Sequence, residues 1–475
     1  MSDIRLQGGE SVWEVLCGVK RKMIKAFKIL GESGYIWGLL RQNAASEDYL
    51  NRKSYKDILP YSSVDISLYK KILDKIFSEN VKRLKKKERI EIGFLAPFAD
   101  TWSCDMLFQL LMSDERFHPY IIVTPFYNGN SQSEQEIYRY AQEFFQKKGY
   151  PLKYAVEPSN GREFTLDELG RPDILFHLSP YNESFPKALN IRNIPLGVLN
   201  VNIPYGLYIA SLPDFQFQLE SFYTYWKIFD LPFFCKLSEK YCKLGDFNRV
   251  GSGYCKLDKF YIKENINQQY YWKKPDVVKI IYAPHHSLGN IGQCFSTFDK
   301  NYREILQLAK ENADTTCWVV KPHPLLKKTS VEQGVFQTEQ EYDDYMNEWN
   351  NMPNARVVTG GDYLPLFKTS DCLILDCDSF LGEYLYVNKP LLFLTRPEQN
   401  MGELGMEIMK AVYTAPGEDV EGIGDFIKLT VTERRDQLKE KREECYDRCL
   451  NYYKMNGNRY SSEFIYDYLI KSFDL

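Results

Sequence analysis

The sequence predicts an α/β chain of two doubly wound, Rossmann-like halves facing a cleft, preceded by a basic helical stretch. Three observations carry this. At 475 residues the chain exceeds one ordinary core, since domains usually hold about 100–200 residues. From residue 89 short apolar runs alternate with helical segments, the signature of parallel strands joined by crossover helices. The rhythm lapses at 205–275, a Phe- and Tyr-rich stretch, and then restarts.

In the first half, Ile90–Ala96 reads as a buried strand and Cys104–Met112 as a helix. Tyr120–Val123 is a strand ended by Thr-Pro, and Ser133–Lys148 a helix ended by Gly149. Ile174–Leu178 and Leu196–Val201 are two further strands. In the second half the strands are Lys279–Tyr282, Cys317–Val320, Ala355–Val358, Cys372–Leu375 and Leu391–Leu394. Helices Tyr302–Glu311, Glu339–Trp349, Tyr363–Thr369 and Phe380–Val387 separate them. A final helix, Tyr460–Lys471, is of the kind that crosses back to the N-terminal lobe in two-lobed folds. The expected units are a basic helical extension (1–88), an acceptor lobe (89–245), a nucleotide-donor lobe (246–455) and the C-terminal helix (456–475). Two such halves joined by an irregular segment describe the GT-B architecture.

Composition bounds the function classes. Hydrophobic content of 44% and charged content of 26% are ordinary for a globular chain, which excludes wholesale disorder. No apolar run reaches the roughly 18–20 residues of a spanning helix, and the first ten residues lack an apolar signal-peptide core. Eleven Cys, with no Cys-x-x-Cys pair, point to reduced thiols in a cytoplasmic protein rather than a zinc module or disulfide scaffold.

Charge is uneven. Residues 1–89 hold 19 Lys/Arg against 11 Asp/Glu, so with a net charge of −4 the remainder is strongly acidic. Val12–Leu30 sets Val12, Trp13, Leu16, Val19, Met23, Phe27 and Leu30 at helical spacing, with Lys20, Arg21, Lys22, Lys25 and Lys28 mostly between them. Two readings stand: a helix packed on the body with a solvated basic face, or a surface helix meeting the anionic inner face of the cell membrane through residues 12–30. The run Lys82–Arg89 reads as a solvated helix end or linker. Nothing in the chain points to nucleic acid as a partner.

Neither Gly-x-Gly-x-x-Gly nor Gly-x-x-x-x-Gly-Lys-[Ser/Thr] occurs, which weighs against dehydrogenases and P-loop enzymes. The informative positions follow the second-half strands, because open α/β sheets bind ligands beyond the carboxyl ends of their strands. Tyr282-Ala-Pro-His-His-Ser-Leu288 follows one strand, Val319-Val-Lys-Pro-His-Pro324 the next, and Leu375-Asp-Cys-Asp-Ser-Phe-Leu-Gly-Glu-Tyr384 a third. Of five His in the chain, His285, His286 and His323 fall in the first two. These residues suit phosphate chemistry. Lys321 and His323 offer charge or N–H donors to phosphate oxygens, and Ser379 with the amides after it opens a helix, an anion site. Imidazole suits proton transfer near neutral pH. Asp376 and Asp378 read either as cap and orienting residues or as direct ligands. His177 reads as a buried structural residue and His118 as a surface one.

These stretches resemble the CDP-glycerol/CDP-ribitol glycerophosphotransferase family, the polymerases and primases of teichoic acids and related capsules. The resemblance covers roughly 245–400 and includes Gly251-Ser-Gly-Tyr-Cys-Lys-Leu-Asp258, Asp362-Tyr-Leu-Pro-Leu-Phe-Lys-Thr-Ser-Asp371 and Lys389-Pro390 besides the motifs above. It departs in two places. The family's first-lobe Trp-His-Gly-Thr is missing, and Asn200-Val-Asn-Ile-Pro-Tyr-Gly206 stands there, similar to the capsule branches. Leu-Asp-Cys-Asp-Ser replaces the usual Thr-Asp-Tyr-Ser-Ser. The acceptor base then falls to His285, His286 or His177.

The resemblance implies a transferase that moves a polyol phosphate from a CDP-activated donor to a hydroxyl of a surface polysaccharide or lipid-linked glycan, releasing CMP, with no cofactor or metal. Catalysis would rest on His285, His286 and His323. Lys321, His323 and the Ser379 helix end would hold the diphosphate, and Glu383 or Asp376 the ribose. Asp378, Phe380, Ser287, Tyr205 and Gly206 would complete the substrate site. The alternatives are a GT-B glycosyltransferase using a nucleotide sugar, and an inactive glycan- or lipid-binding adaptor on the same scaffold.

Overall fold

The computed structural model describes residues 47–59, 65–127, 131–157, 160–181, 184–263, 265–289 and 293–475, so the Val12–Leu30 segment lies outside the described residues. Two parallel sheets form the body. The first contains β1 (Ile90–Ala96), β2 (Phe117–Val123), β3 (Leu152–Tyr154), β4 (Ile174–His177), β5 (Leu199–Asn202), β6 (Lys227–Asp230) and β7 (Arg249–Gly251) in the order β3-β2-β1-β4-β5-β6-β7. The second contains β8 (Val278–Ala283), β9 (Thr316–Val320), β10 (Ala355–Val357), β11 (Cys372–Leu375), β12 (Leu391–Thr395) and β13 (Tyr413–Pro416) in the order β10-β9-β8-β11-β12-β13. Every strand pair is parallel. Strand order therefore reverses between β1 and β4 and between β8 and β11, which opens a crevice at each switch point. This is the two-lobed GT-B arrangement.

Helices α1 (Ile66–Leu84), α2 (Asp105–Met112) and α3 (Ser131–Lys148) serve the first lobe. Helices α4 (Phe298–Glu311), α5 (Glu339–Asn351) and α6 (Asp378–Glu383) serve the second. The second sheet is apolar on both faces, as an all-parallel sheet must be. Ile281, Val319, Leu373, Leu375 and Phe393 join the core shared with the first lobe. Their neighbours Ile280, Trp318, Val320, Ile374 and Leu394 fill the separate core beneath α4 and α5. Gly149, at φ +68°, ends α3 in the left-handed region.

Four strands fall outside the sequence reading. β3, β6, β7 and β13 have only three or four residues each, too short to show a period. The strand expected at Leu196–Val201 begins at Leu199 because the Leu196 and Gly197 N–H groups donate to Lys53 O and Leu50 O, 2.8 and 2.9 Å away. The helix expected at Phe380–Val387 is α6 followed by a tight 3₁₀ turn, Tyr384–Val387, stopped by left-handed Asn388.

The basic run before β1 is not solvated throughout. Helix α1 buries Tyr69, Ile72, Leu73, Ile76, Phe77, Asn80 and Leu84 against the first lobe. Arg83 in its last turn and Lys87 beyond it both pair with buried Asp173, at 2.8 and 2.6 Å. That carboxylate stands beside the start of β4 and also accepts the Glu91 N–H.

The C-terminal helix α7 (Ser461–Phe473) packs on α2 and α1 of the first lobe and buries Ile465, Leu469 and Phe473. Its start is held by one buried carboxylate. Asp258 accepts from the Ser461 N–H (2.8 Å), the Ser462 N–H (2.9 Å), the Ser462 hydroxyl (2.6 Å) and the Tyr452 hydroxyl (2.7 Å). A second tie lies at 209–211, where the Gly402 N–H donates to Ile209 O and the Ser211 N–H to Asn400 O. A Cβ on Gly402 would come within 2.8 Å of Ala210 O, so only glycine allows this approach. Hydrogen bonds to a buried charge contribute about 1.5–3 kcal/mol each. Asp258→Asn, which puts an amide NH₂ among four donors, should cost about 2–4 kcal/mol in urea unfolding and speed amide exchange across 461–473. An unchanged midpoint would show that α7 is held by its apolar face alone.

Candidate active site

The crevices at the carboxyl ends of the two sheets face each other across a cleft of about 380 Å³. Segments after β8, β9, β10 and β11 form one wall, and segments after β1, β4 and β5 the other. A short connection leaving a parallel strand emerges at this edge, which is why the motifs read from sequence meet here.

Three histidines meet at its centre. The His286 and His323 rings stack at 4.0 Å, the His285 and His286 centroids are 4.3 Å apart, and His285 and His323 lie at 5.1 Å. His285 is buried, while His286 and His323 are half-buried. The Leu325 N–H donates to His323 Nδ1 at 3.1 Å, and the Ser287 N–H donates to His285 Nδ1 at 3.3 Å. Both Nδ1 atoms are thus acceptors, which leaves the proton of each neutral ring on Nε2. Buried His286 Nδ1 has no hydrogen-bond partner. Burial and then the other two rings hold His285 well below the usual imidazole range, and burial lowers His286. Burial, followed by His286 and Lys321, lowers His323 to about 3. One nitrogen from each ring comes within 4.8 Å of the others, close enough for a metal ion. The backbone donors at two Nδ1 atoms nevertheless set His285 and His323 as Nε2–H donors rather than metal ligands.

Two residues expected to touch substrate do something else. Asp376 is fully buried and does not line the cleft. Its Oδ1 accepts the His285 N–H at 2.6 Å, and its Oδ2 accepts the Thr297 N–H and hydroxyl at the start of α4. Its bonding capacity is spent inside the protein, so it positions His285 instead of gripping a ribose. Ser287 is buried behind the ring of His285, with Oγ 2.8 Å from Nδ1 and accepting the Phe295 N–H at 2.9 Å. It too is a positioning residue.

The Ser379 helix end is also occupied from within. Asp378 Oδ1 accepts the Ser379 N–H at 2.6 Å. The Ser379 amide is engaged within the protein, and the carboxylate beside it would repel a phosphate. Burial raises the Asp378 carboxyl to about 6. Asp378, Ser379, Phe380, Tyr205 and Gly206 all line the cleft.

Its cations lie elsewhere. Lys321 is buried and donates to Gly360 O at 3.2 Å; burial lowers its ammonium from the ordinary range. Lys256 donates to the Tyr363 hydroxyl at 2.6 Å, and that hydroxyl donates to Glu383. Glu383 is buried, and burial raises its carboxyl. The Phe380 and Tyr363 rings, 4.4 Å apart, support this relay. Sequence reasoning gave no role to Lys256, Tyr363, Gly360 or Gly361. Lys256 and Tyr363 sat inside the quoted motifs, and the Gly-Gly pair directly after β10, with φ of 65° and 71°, was the available signal for a backbone turn at the cleft.

The other histidines are structural. His177, fully buried, has Nε2 2.9 Å from Asn200 Oδ1. His118 pairs with Glu91, its cross-strand partner on the β1–β2 ladder.

Residues 245–471 match the model of the CDP-glycerol:poly(glycerophosphate) glycerophosphotransferase family. No curated protein sequence matches the chain significantly. Among solved structures, MnaA of S. aureus with UDP aligns at 14% identity and TM-score 0.51, covering 81% of this chain and 97% of that one. A UDP-N-acetylglucosamine 2-epimerase structure from Listeria monocytogenes aligns at 11% identity and TM-score 0.51, with 81% and 97% covered. The wall teichoic acid polymerase TagF aligns at 14% identity and TM-score 0.50, with 85% and 94% covered. At these identities the likeness is one of fold.

The lowered His323 has a measurable consequence. An unfolded histidine titrates near 6.5. Above that pH neither state holds the proton, and the ring adds no pH dependence. As pH falls below 6.5 the unfolded chain takes up a proton that folded His323 refuses, so stability falls. Between pH 7 and pH 5 the wild type should lose roughly 1–2 kcal/mol more in urea unfolding than His323→Gln. Equal losses would mean that the folded ring titrates normally.

Proposed function

We propose that the chain, whose residues 245–471 match the CDP-glycerol:poly(glycerophosphate) glycerophosphotransferase family, moves glycerol or ribitol phosphate from a CDP-activated donor to a hydroxyl of an envelope glycan of teichoic or capsule type. The observation that carries the reading is the cluster of three neutral imidazoles beside Lys321 at the β8/β11 switch point.

The acceptor oxygen attacks the phosphorus that bears the polyol. The bond from that phosphorus to the bridging oxygen breaks, and CMP leaves with the electron pair. His286 takes the hydroxyl proton. Its Nδ1 has no partner, so its tautomer is unconstrained, whereas His285 and His323 are fixed as Nε2–H donors. The Nε2–H of His323 and the ammonium of Lys321 meet the charge that gathers on the phosphate oxygens. Lys256 adds the second positive charge, and the Lys256–Tyr363–Glu383 relay takes the ribose of the nucleotide. Little covalent chemistry falls to the protein in phosphoryl transfer, and positioning with charge neutralisation supplies most of the rate.

None of the described helices is long and apolar enough to cross a membrane. Envelope acceptors carried on lipid lie at the inner membrane face, and the basic residues of 12–30 supply an attraction of about 1 kcal/mol each to anionic lipid. The protein should therefore pellet with phosphatidylglycerol vesicles at low salt and be released at high salt, because the screening length falls from about 30 Å at 0.01 M to about 3 Å at 1 M. Reversing the charges of Lys20, Arg21, Lys22 and Lys25 should abolish pelleting. Retained pelleting in that variant would remove residues 12–30 from the membrane contact.

Losing one donor that acts on transition-state charge costs about 10²–10³ in rate. His323→Ala should lower CMP release from CDP-glycerol by that factor with the fold intact, and His286→Ala by at least as much. If either folded variant keeps more than about half the wild-type rate, its assignment is wrong.

A further inference from the structure

We propose that the acceptor presents a neutral sugar ring to the cleft, not the end of a poly(glycerol phosphate) chain, and that Tyr181, Tyr205 and Phe215 form its platform. This rests on the transferase reading and names the acceptor class for it.

The two walls of the cleft differ in charge. Lys321 and the three histidines come from the second lobe, and Lys256 from the turn that follows β7. Among the described residues lining the wall after β1, β4 and β5 there is no Lys, Arg or His, and the formal charge there is the carboxylate of Asp100. A glycerol phosphate polymer carries one negative charge per unit and has no ring. Along this wall it would find no counter-ion and would meet Asp100. Proteins that track polyphosphate backbones do so with Lys and Arg.

The same wall leaves large rings uncovered. Tyr181 is 37% exposed, Tyr205 36% and Phe215 52%. Exposed aromatic side chains gathered at a cleft mark a binding surface, and each ring offers an apolar face with weak negative potential. The C–H face of a pyranose is apolar and weakly positive, and it complements such a ring. The two tyrosines are held ready: their centroids are 6.4 Å apart and their hydroxyls 3.5 Å apart. The Tyr205 carbonyl accepts the buried Tyr254 hydroxyl, and the Tyr181 N–H donates to Ser179 Oγ at 3.4 Å. Phenolic hydroxyls and Asp100 then supply partners for sugar hydroxyls. Asn200–Gly206, which replaces a histidine-bearing motif of the family, delivers Tyr205 to this wall.

The test is transfer from radiolabelled CDP-glycerol by the full-length chain to two acceptors: phosphate-free neutral oligosaccharides prepared from the envelope of the producing cell, and a synthetic glycerol phosphate hexamer. The proposal predicts incorporation into the neutral oligosaccharides, with a KM that stays flat as salt rises. It also predicts that Tyr181→Ala and Phe215→Ala raise that KM about tenfold with kcat little changed, and that Tyr181→Phe restores most of it. Preferential incorporation into the hexamer, with a KM that climbs with salt, would overturn it. So would donor hydrolysis without incorporation into either acceptor, or alanine variants with wild-type KM. Absence of any CMP release would overturn the transferase reading itself, a separate failure.

Discussion

The site depends on the placement of one buried carboxylate. Asp376 leaves β11 at the switch point and accepts the His285 N–H on one oxygen and the Thr297 N–H and hydroxyl on the other. It therefore ties the segment after β8, the start of α4 and the end of β11 into one rigid corner. Taking a carboxylate out of water costs several kcal/mol, which charge-assisted hydrogen bonds offset only when their geometry is good. Burial still raises its carboxyl to about 6. Those bonds fix the backbone that carries His285. Asp258 repeats the device two residues from Lys256, where its four donors hold the start of α7 against the first lobe.

From that corner the electrostatics of the cleft follow. The imidazoles crowd one another and are poorly hydrated, so they stay neutral and act as oriented dipoles beside Lys321. Two backbone N–H groups fix which ring nitrogen carries the proton in His285 and His323, and no such group constrains His286. The wall after β1, β4 and β5 carries Tyr181, Tyr205 and Phe215 and no cation, and Lys321 and the imidazoles stand opposite it. A polar site preorganised in this way spends little energy on reorientation during the reaction.

How much of this was legible in the sequence depended on range. Strands β8, β9, β11 and β12 are mostly apolar runs, and the residues leaving β8, β9 and β11 carry the histidines, Lys321 and the acidic pair, so the site's edge of the sheet was readable. Direction was not. Asp376 and Ser287 stand one or two positions from residues that line the cleft, yet their side chains turn into the protein, which spacing alone does not reveal. Lys256 and Tyr363 become partners only on folding, 107 residues apart in the chain. The basic run before β1 looked solvated because its partner, Asp173, lies 86–90 residues downstream. Strands of three or four residues, such as β7 and β13, are set by their neighbours in the sheet rather than by their own pattern.

The central claim is that phosphorus, not an anomeric carbon, is the atom attacked. Phosphorus-31 NMR of a reaction containing CDP-glycerol and neutral envelope oligosaccharide reads this directly. The account predicts that the two coupled diphosphate signals disappear as a CMP monoester signal and a new phosphodiester signal grow in equal amounts. A persistent CDP-glycerol spectrum, together with turnover of a nucleotide sugar that yields a glycosidic bond and no new phosphodiester, would contradict it.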